Sequence, residues 1–161
     1  MAPRKPLPPR VPPEGTSNVL FQSFRTGIAL RELMRSAVAG TGVTGEEYGV
    51  LGVLHAFPDP TPTELATALG IPPTTVSRHV ARFLRDGLAE RMQNPEDGRS
   101  YLLRPTPRGS KIVQTIAPRI RELVQALAVA SERPLPEISV ALVALEDAAK
   151  RVLKDRVAST R

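Results

Sequence analysis

The sequence predicts a mainly α-helical fold with one small β-hairpin. Three observations predict it. Aliphatic residues recur at intervals of three and four over most of the chain. Helix-start signals, Thr44-Gly-Glu-Glu47, Thr61-Pro-Thr-Glu64 and Thr106-Pro107, stand just ahead of such runs. A single stretch, Leu88 to Leu103, drops the helical period and places Asn-Pro and Asp-Gly pairs between two short apolar segments, as a hairpin requires. With 161 residues, the chain suits one compact domain or a small domain with extensions. Hydrophobic residues at 41% and charged residues at 24% exclude wholesale disorder, and 4% aromatics without Trp require an aliphatic core.

Residues 1–15 hold six of the 17 prolines together with Arg4, Lys5 and Arg10. Proline removes backbone donors and blocks helix, so this stretch reads as a disordered, Pro-rich basic arm. It serves either as a solvated tail or as a source of extra phosphate contacts. Thr16 or Ser17 can cap a first helix, in which Leu20, Phe24, Ile28, Leu30, Met34 and Val38 share a face and Gly27 costs some stability. Gly40-Thr41-Gly42 ends it. The Thr44–Glu47 capping box opens a second helix through Tyr48, Leu51, Leu54 and His55, and Pro58-Asp59-Pro60 stops it. Thr61–Glu64, with Pro62 at the first helical position, opens a short third helix through Leu65, Ala66 and Leu69, ended by Gly70. Pro73 can open a fourth helix to about Asp86, with Gly87 as its stop. Leu88–Met92 and Tyr101–Leu103 read as paired strands. Thr106-Pro107 then starts a long helix through Val113, Ile116, Ile120, Leu123 and Leu127, with a kink expected at Pro118. Pro134 and Pro136 break the chain before a last helix marked by Ile138, Leu142, Leu145, Ala149 and Val152.

Composition closes several functional classes. Without cysteine there are no disulfides, thiolate metal sites, cysteine nucleophiles or thiol sensors. The two histidines, His55 and His79, lie too far apart for a local metal motif, so no metal and no cofactor is expected. No HExxH, GxSxG, P-loop or GxGxxG occurs, and Ser77 and His79 do not face each other on one helix, so no catalytic residue is assigned and an enzyme is not expected. The longest apolar stretches fall far below the ~18 residues needed to cross a bilayer, and no apolar run follows Arg4 and Lys5 as a secretory signal would require, so no membrane partner and a cytoplasmic location are expected. The net charge of +6 favours a polyanionic partner.

The order from residue 61, short helix, tight turn, second helix, two-stranded hairpin, is that of a winged helix-turn-helix. On a helical wheel Val76, Val80, Phe83 and Leu84 of the fourth helix fall within about 100° and form its buried side. Thr74, Thr75, Arg78, Ala81, Arg82 and Arg85 lie opposite, with Ser77 beside them and no acid among them. Arginine can pair bidentately with guanine, and threonine can meet a phosphate or a thymine methyl, so this face suits double-stranded DNA. Residues 58–105 carry six acids and six arginines, so the argument rests on placement and not on excess charge. Arg99, in the hairpin loop two residues after Asp97, can enter a narrow minor groove, while Asp97 fixes the loop or orients Arg99. The other reading of the same lobe is a winged-helix protein-interaction module that binds no operator.

The motifs together resemble the MarR family of bacterial transcriptional regulators. The resemblance is carried by Thr63-Glu-Leu-Ala66, Leu69-Gly-Ile71, Thr75-Val-Ser-Arg78, Leu84-Arg-Asp-Gly-Leu88, Asp97-Gly-Arg-Ser100 and Leu103-Arg-Pro-Thr-Pro-Arg-Gly109, in that order, within about residues 17–157. Pro72 and Pro73 depart from the Ser or Asp usual at that helix start. The resemblance implies a homodimer in which 16–57 and 106–157 form a helical dimerisation region, while the winged lobes of 58–105 bind a pseudo-palindromic operator. The aliphatic spacing of the first and last helices fits that use. It further implies a repressor released by a small-molecule effector bound between the two regions, in a pocket that could use Arg31, Tyr48 or His55.

Overall fold

A computed structural model describes residues 18–57 and 59–159. The expected basic arm, the Thr16–Ser17 cap and Pro58 lie outside the described residues. Six helices and one hairpin run in the order α1 (Asn18–Val38), α2 (Gly45–Ala56), α3 (Pro62–Leu69), α4 (Pro73–Arg85), β1 (Ala89–Gln93), β2 (Tyr101–Pro105), α5 (Pro107–Ala130) and α6 (Leu135–Ser159). The expected class, mainly helical with a two-stranded wing, is the class observed. The chain divides into two compact units between Val113 and Gln114.

In the first unit α2 packs against α1, α3, α4 and β2. Its first turn is held by the expected capping box: the Glu47 N–H donates to Thr44 Oγ1 at 3.2 Å, and the Thr44 N–H donates to Glu47 Oε2 at 2.7 Å. The second box repeats the pattern at α3, with Thr61 and Glu64 exchanging bonds of 2.7 and 3.2 Å. These acceptors take up donors that an uncapped helix leaves unpaired. Leu51, Leu54, Leu65, Val76, Phe83 and Leu103 are fully buried, so the core of this unit joins α2, α3, α4 and the hairpin. Their burial contributes roughly 1.5–3 kcal/mol per large side chain.

The strands pair antiparallel, with Ala89 opposite Pro105, Arg91 opposite Leu103 and Gln93 opposite Tyr101. β1 is shifted by one residue from the expected Leu88–Met92, and β2 runs two residues past the expected Leu103 because Arg104 and Pro105 join the ladder. The segment before α3 also joins: the Leu103 N–H donates to Pro60 O at 2.9 Å, and Arg104 pairs with Asp59 through two nitrogens. Asp59 has φ +44°, a left-handed conformation uncommon outside glycine that aspartate tolerates better than most residues. The Arg104 guanidinium lowers the Asp59 carboxyl pKa below its ordinary value.

The end of α4, the start of β1 and the start of α5 converge on residues 86–88. The Leu88 N–H donates to Phe83 O at 2.8 Å and the Gly87 N–H to Leu84 O at 3.3 Å, a Schellman closure made by Gly87 at φ +64°. From the α5 side, Arg108 Nη1 donates to Asp86 O at 2.8 Å, Thr106 Oγ1 to Gly87 O at 2.7 Å and the Thr106 N–H to Leu88 O at 3.1 Å. Gly109 lies so close that an added Cβ would overlap the Leu88 carbonyl, sitting 3.0 Å from its carbon.

The second unit holds the rest of α5 and α6. The helix of α5 continues through Pro118. Pro136 does not break the chain as expected but lies in the first turn of α6, where no intrahelical N–H bond is lost. No residue of α6 is buried, and Val140, Val143, Val152, Leu153 and Val157 are all more than half exposed.

Two expected outcomes test this architecture. Gly109→Ala should destabilise the chain by about 1–3 kcal/mol, because the obstacle is backbone and cannot turn aside; a urea midpoint equal to the parent's would refute the close approach. Asp59 has a depressed folded-state pKa, so its pairing stabilises above about pH 4 and is lost as the pH falls below that value. The stability gap between the parent and Asp59→Asn should therefore shrink on acidification from pH 6 to pH 3 in denaturant titrations, and a gap constant over that range would contradict the ion pair.

Candidate nucleic-acid interface

Pro73 opens α4 at the position where a missing N–H costs nothing, and Pro72 O accepts the first helical bonds from Thr75 and Val76 at 2.9 and 3.2 Å. Pro72 supplies no side-chain cap. Val76, His79, Val80 and Phe83 are the buried residues of the helix, with the His79 and Phe83 rings stacked at 6.4 Å between centroids. The expected set differs in two members: Leu84 is only half-buried and His79 takes the place expected of it. On the wheel this turns the buried arc by about 40° towards Arg82. Hydrophobicity alone could not reveal the turn, since imidazole is polar, yet its ring packs on Phe83.

Thr74, Ser77, Arg78, Ala81 and Arg85 are exposed and Thr75 is half-buried, so most of the expected polar face is open. The three arginines differ. Arg78 is exposed, and its guanidinium has no ion pair or hydrogen bond among the described residues. Arg85 is 71% exposed and donates from Nε to Asp86 Oδ1 at 3.0 Å. Arg82 departs from the expected free cation. Its Nη1 donates to Glu47 Oε1, its Nη2 to Gly42 O at 2.9 Å and its Nε to Asp86 Oδ2 at 3.2 Å. The physical reason is its place at the edge of the polar arc, next to the buried side that packs on α2. Asp86, bonded first by Arg85 and then by Arg82, has its carboxyl pKa lowered. Glu47 is visible in the sequence only as a capping residue; its second role needs a cation from α4, about ten helical turns of sequence later.

The wing loop is built from its own side chains. Asn94 Oδ1 accepts from the Glu96 N–H at 3.0 Å, and Asn94 Nδ2 donates to Ser100 Oγ at 2.6 Å. Asp97 Oδ1 accepts from the Arg99 N–H at 3.0 Å, and Asp97 O from the Ser100 N–H at 3.0 Å. Asp97 thus shapes the loop through the backbone of Arg99, one of the two roles expected for it. The Arg99 side chain is exposed and has no partner among the described residues. Arg91, which the sequence did not single out, stacks over the Tyr101 ring at 4.2 Å and braces the hairpin. The pairing register places these two diagonally across the strands, within reach of long side chains.

A hollow of about 740 Å³ lies between α1 and the turn into α2, lined by Leu30, Met34, Val38 and Val43 with Arg31 and Arg35. Of the three expected effector-site residues, only Arg31 lines it. Tyr48 is half-buried and His55 exposed, and neither lines its wall. Among the described residues no cluster of three or more His, Asp or Glu side chains could hold a metal, and no helix is long and apolar enough to cross a membrane.

The family model of the MarR family matches residues 41–100, the stretch from the turn before α2 to the wing loop. Over that stretch the chain is similar to the MarR family. MarR proteins are transcription regulators and not enzymes. A transcriptional regulatory protein for the hcr operon of Thauera aromatica is 33% identical over 96 residues, which are 60% of this chain; the chain spans 55% of that relative's length. Among solved structures, the M. tuberculosis regulator MosR in complex with DNA shares 27% identity, with a TM-score of 0.72 over 83% of this chain and 97% of that one. The PcaV regulator of Streptomyces coelicolor, solved with its natural ligand, shares 25% identity, with a TM-score of 0.71 over 83% of this chain and 93% of that one.

The wing supplies one test. Asp97→Ala should speed amide hydrogen exchange at Arg99 while leaving the protection of α4 unchanged, since the lost bond is local. Equal exchange in parent and variant would show that the aspartate does not hold the loop.

Proposed function

We propose that the chain is a homodimeric, sequence-specific DNA-binding regulator of the cytoplasm, a repressor released by a small ligand. The observation that carries this reading is the open face of α4: Thr74, Thr75, Ser77, Arg78 and Arg85 on a helix braced by α3, beside a wing whose Arg99 is free. Arg78 is the base reader of this face, the hydroxyls near the start of α4 meet phosphate or a thymine methyl, and Arg99 enters the neighbouring minor groove. Residues 58–105 form the reading lobe; 16–57 and 106–157 form the dimerisation region. Support for a dimer comes from apolar side chains left exposed on α1 (Leu20, Phe24 and Ile28) and along α6. An isologous two-fold interface would cover them and hold two α4 helices about 34 Å apart, one turn of B-form duplex. The relative MosR was solved with DNA and PcaV with a ligand, which supports both halves of the reading. The effector is assigned to the α1–α2 hollow, with Arg31 as its charged wall. To release DNA, it must favour the spacing of reading helices that cannot engage the operator.

Selection of bound duplex from a random pool should return a palindrome with half-sites one helical turn apart, and sedimentation should give twice the chain mass. Arg78→Ala should then weaken operator binding by about 1–3 kcal/mol per site. Unchanged affinity in both Arg78→Ala and Arg99→Ala would transfer the lobe to the protein-interaction reading.

A further inference from the structure

We propose that Arg82 is a positioning residue which, through the buried carboxylate of Glu47, sets the pose of the reading helix on α2 without itself touching DNA. The proposal rests on the DNA-reading function of α4 proposed above. Its basis is an arrangement that a groove-facing arginine would not need. Each of the three guanidinium nitrogens of Arg82 already has an acceptor: Glu47 Oε1, Gly42 O and Asp86 Oδ2. The Glu47 side chain is only 5% exposed, and its other oxygen is bonded to the Thr44 N–H at 2.7 Å. One carboxylate therefore closes the first turn of α2 and holds α4 by its last turn.

Geometry and electrostatics reinforce this. Asp86, at the end of α4 itself, orients the guanidinium, while the two contacts outside the helix, to Glu47 Oε1 and Gly42 O, resist both rotation and sliding of α4 as a single-point contact does not. Drawing Arg82 into a groove would leave Glu47 buried and unpaired, a costly state, so DNA gains little by competing for it. Arg78 lies one helical turn before Arg82, and its direction depends on how α4 is rotated on α2. The pair thus decides where the free cation of the face points.

The reading predicts a sign opposite to that of a direct contact. If Arg82 gripped phosphate, Glu47→Gln would free it and tighten binding. If Arg82 positions α4, Glu47→Gln and Arg82→Met should each weaken binding to the selected operator roughly tenfold, and the double variant should lose about as much as either alone. The dependence of affinity on salt should keep the parent slope, because no phosphate contact is lost; a shared fall in the slope of about one unit per protomer would mark a direct contact. Binding to random duplex should not change. Arg82→Met leaves a buried acid unpaired and can unfold the chain, whereas the neutral double variant removes that liability and carries the same comparison.

A DNA-independent arm separates this proposal from the function it rests on. The chain has no native cysteine, so spin labels at Ala81→Cys on α4 and His55→Cys on α2, in labelled chain diluted into an excess of unlabelled chain, report one intrachain distance. That distance distribution should broaden in Glu47→Gln and in the double variant. A distribution as narrow as the parent's, or tighter operator binding by Glu47→Gln, overturns the proposal. Failure of the parent to select any DNA sequence overturns the proposed function instead.

Discussion

The junction at residues 86–88 constrains everything around it. Three successive carbonyls, of Asp86, Gly87 and Leu88, accept from Arg108 and Thr106, while Gly87 turns the chain and the backbone of Gly109 rests on that of Leu88. The end of α4 is thereby joined to the start of α5, and β1 leaves from the same point. Had α4 simply frayed there, neither the wing nor the first turn of α5 would be anchored to it. The Schellman closure stabilises the helix end, but the bonds from the first turn of α5 make that local stop a fixed joint between α4, the wing and that first turn.

Charge in this lobe is arranged and not abundant. Six acids face six arginines in residues 58–105. Asp59 engages Arg104, and Asp86 engages Arg82 and Arg85. Glu47, from outside that span, takes the rest of Arg82. Asp59, Glu64, Asp86 and Asp97 are turned to bonds within the lobe, whereas Arg78 and Arg99 are cations without partners among the described residues. A lobe with no formal net charge can thus present a positive face through the asymmetry of its pairings.

Much of this is legible in the sequence. The two Thr–Glu capping boxes, Pro62, Gly70, Gly87 and the Asn94–Ser100 loop act through bonds between near neighbours, so a linear pattern records them. The features that escape it depend on residues distant in the chain. Glu47 and Arg82 are 35 positions apart, and Asp59 and Arg104 are 45 apart. His79 reads as polar until Phe83 is seen to stack on it. The wheel places the buried arc about 40° away from its observed centre, enough to misjudge Arg82 at the margin while leaving Arg78 correctly placed. Of the candidate effector residues, Arg31 is implied by the α1 face that carries Met34 and Val38, whereas Tyr48 and His55 depend on how α2 is turned, which its nearly all-round apolar composition does not specify.

The balance of acids and arginines in the reading lobe has a kinetic corollary. Since residues 58–105 sum to zero, the +6 excess of the chain lies wholly in the residues flanking them. At distances beyond a Debye length, about 8 Å at physiological ionic strength, a duplex senses the flanks as a monopole and the lobe only as a dipole. Capture from solution is thereby separated from discrimination at close range. On the proposed function, encounter rates would answer to substitutions far from α4, and residence times to the few side chains upon it.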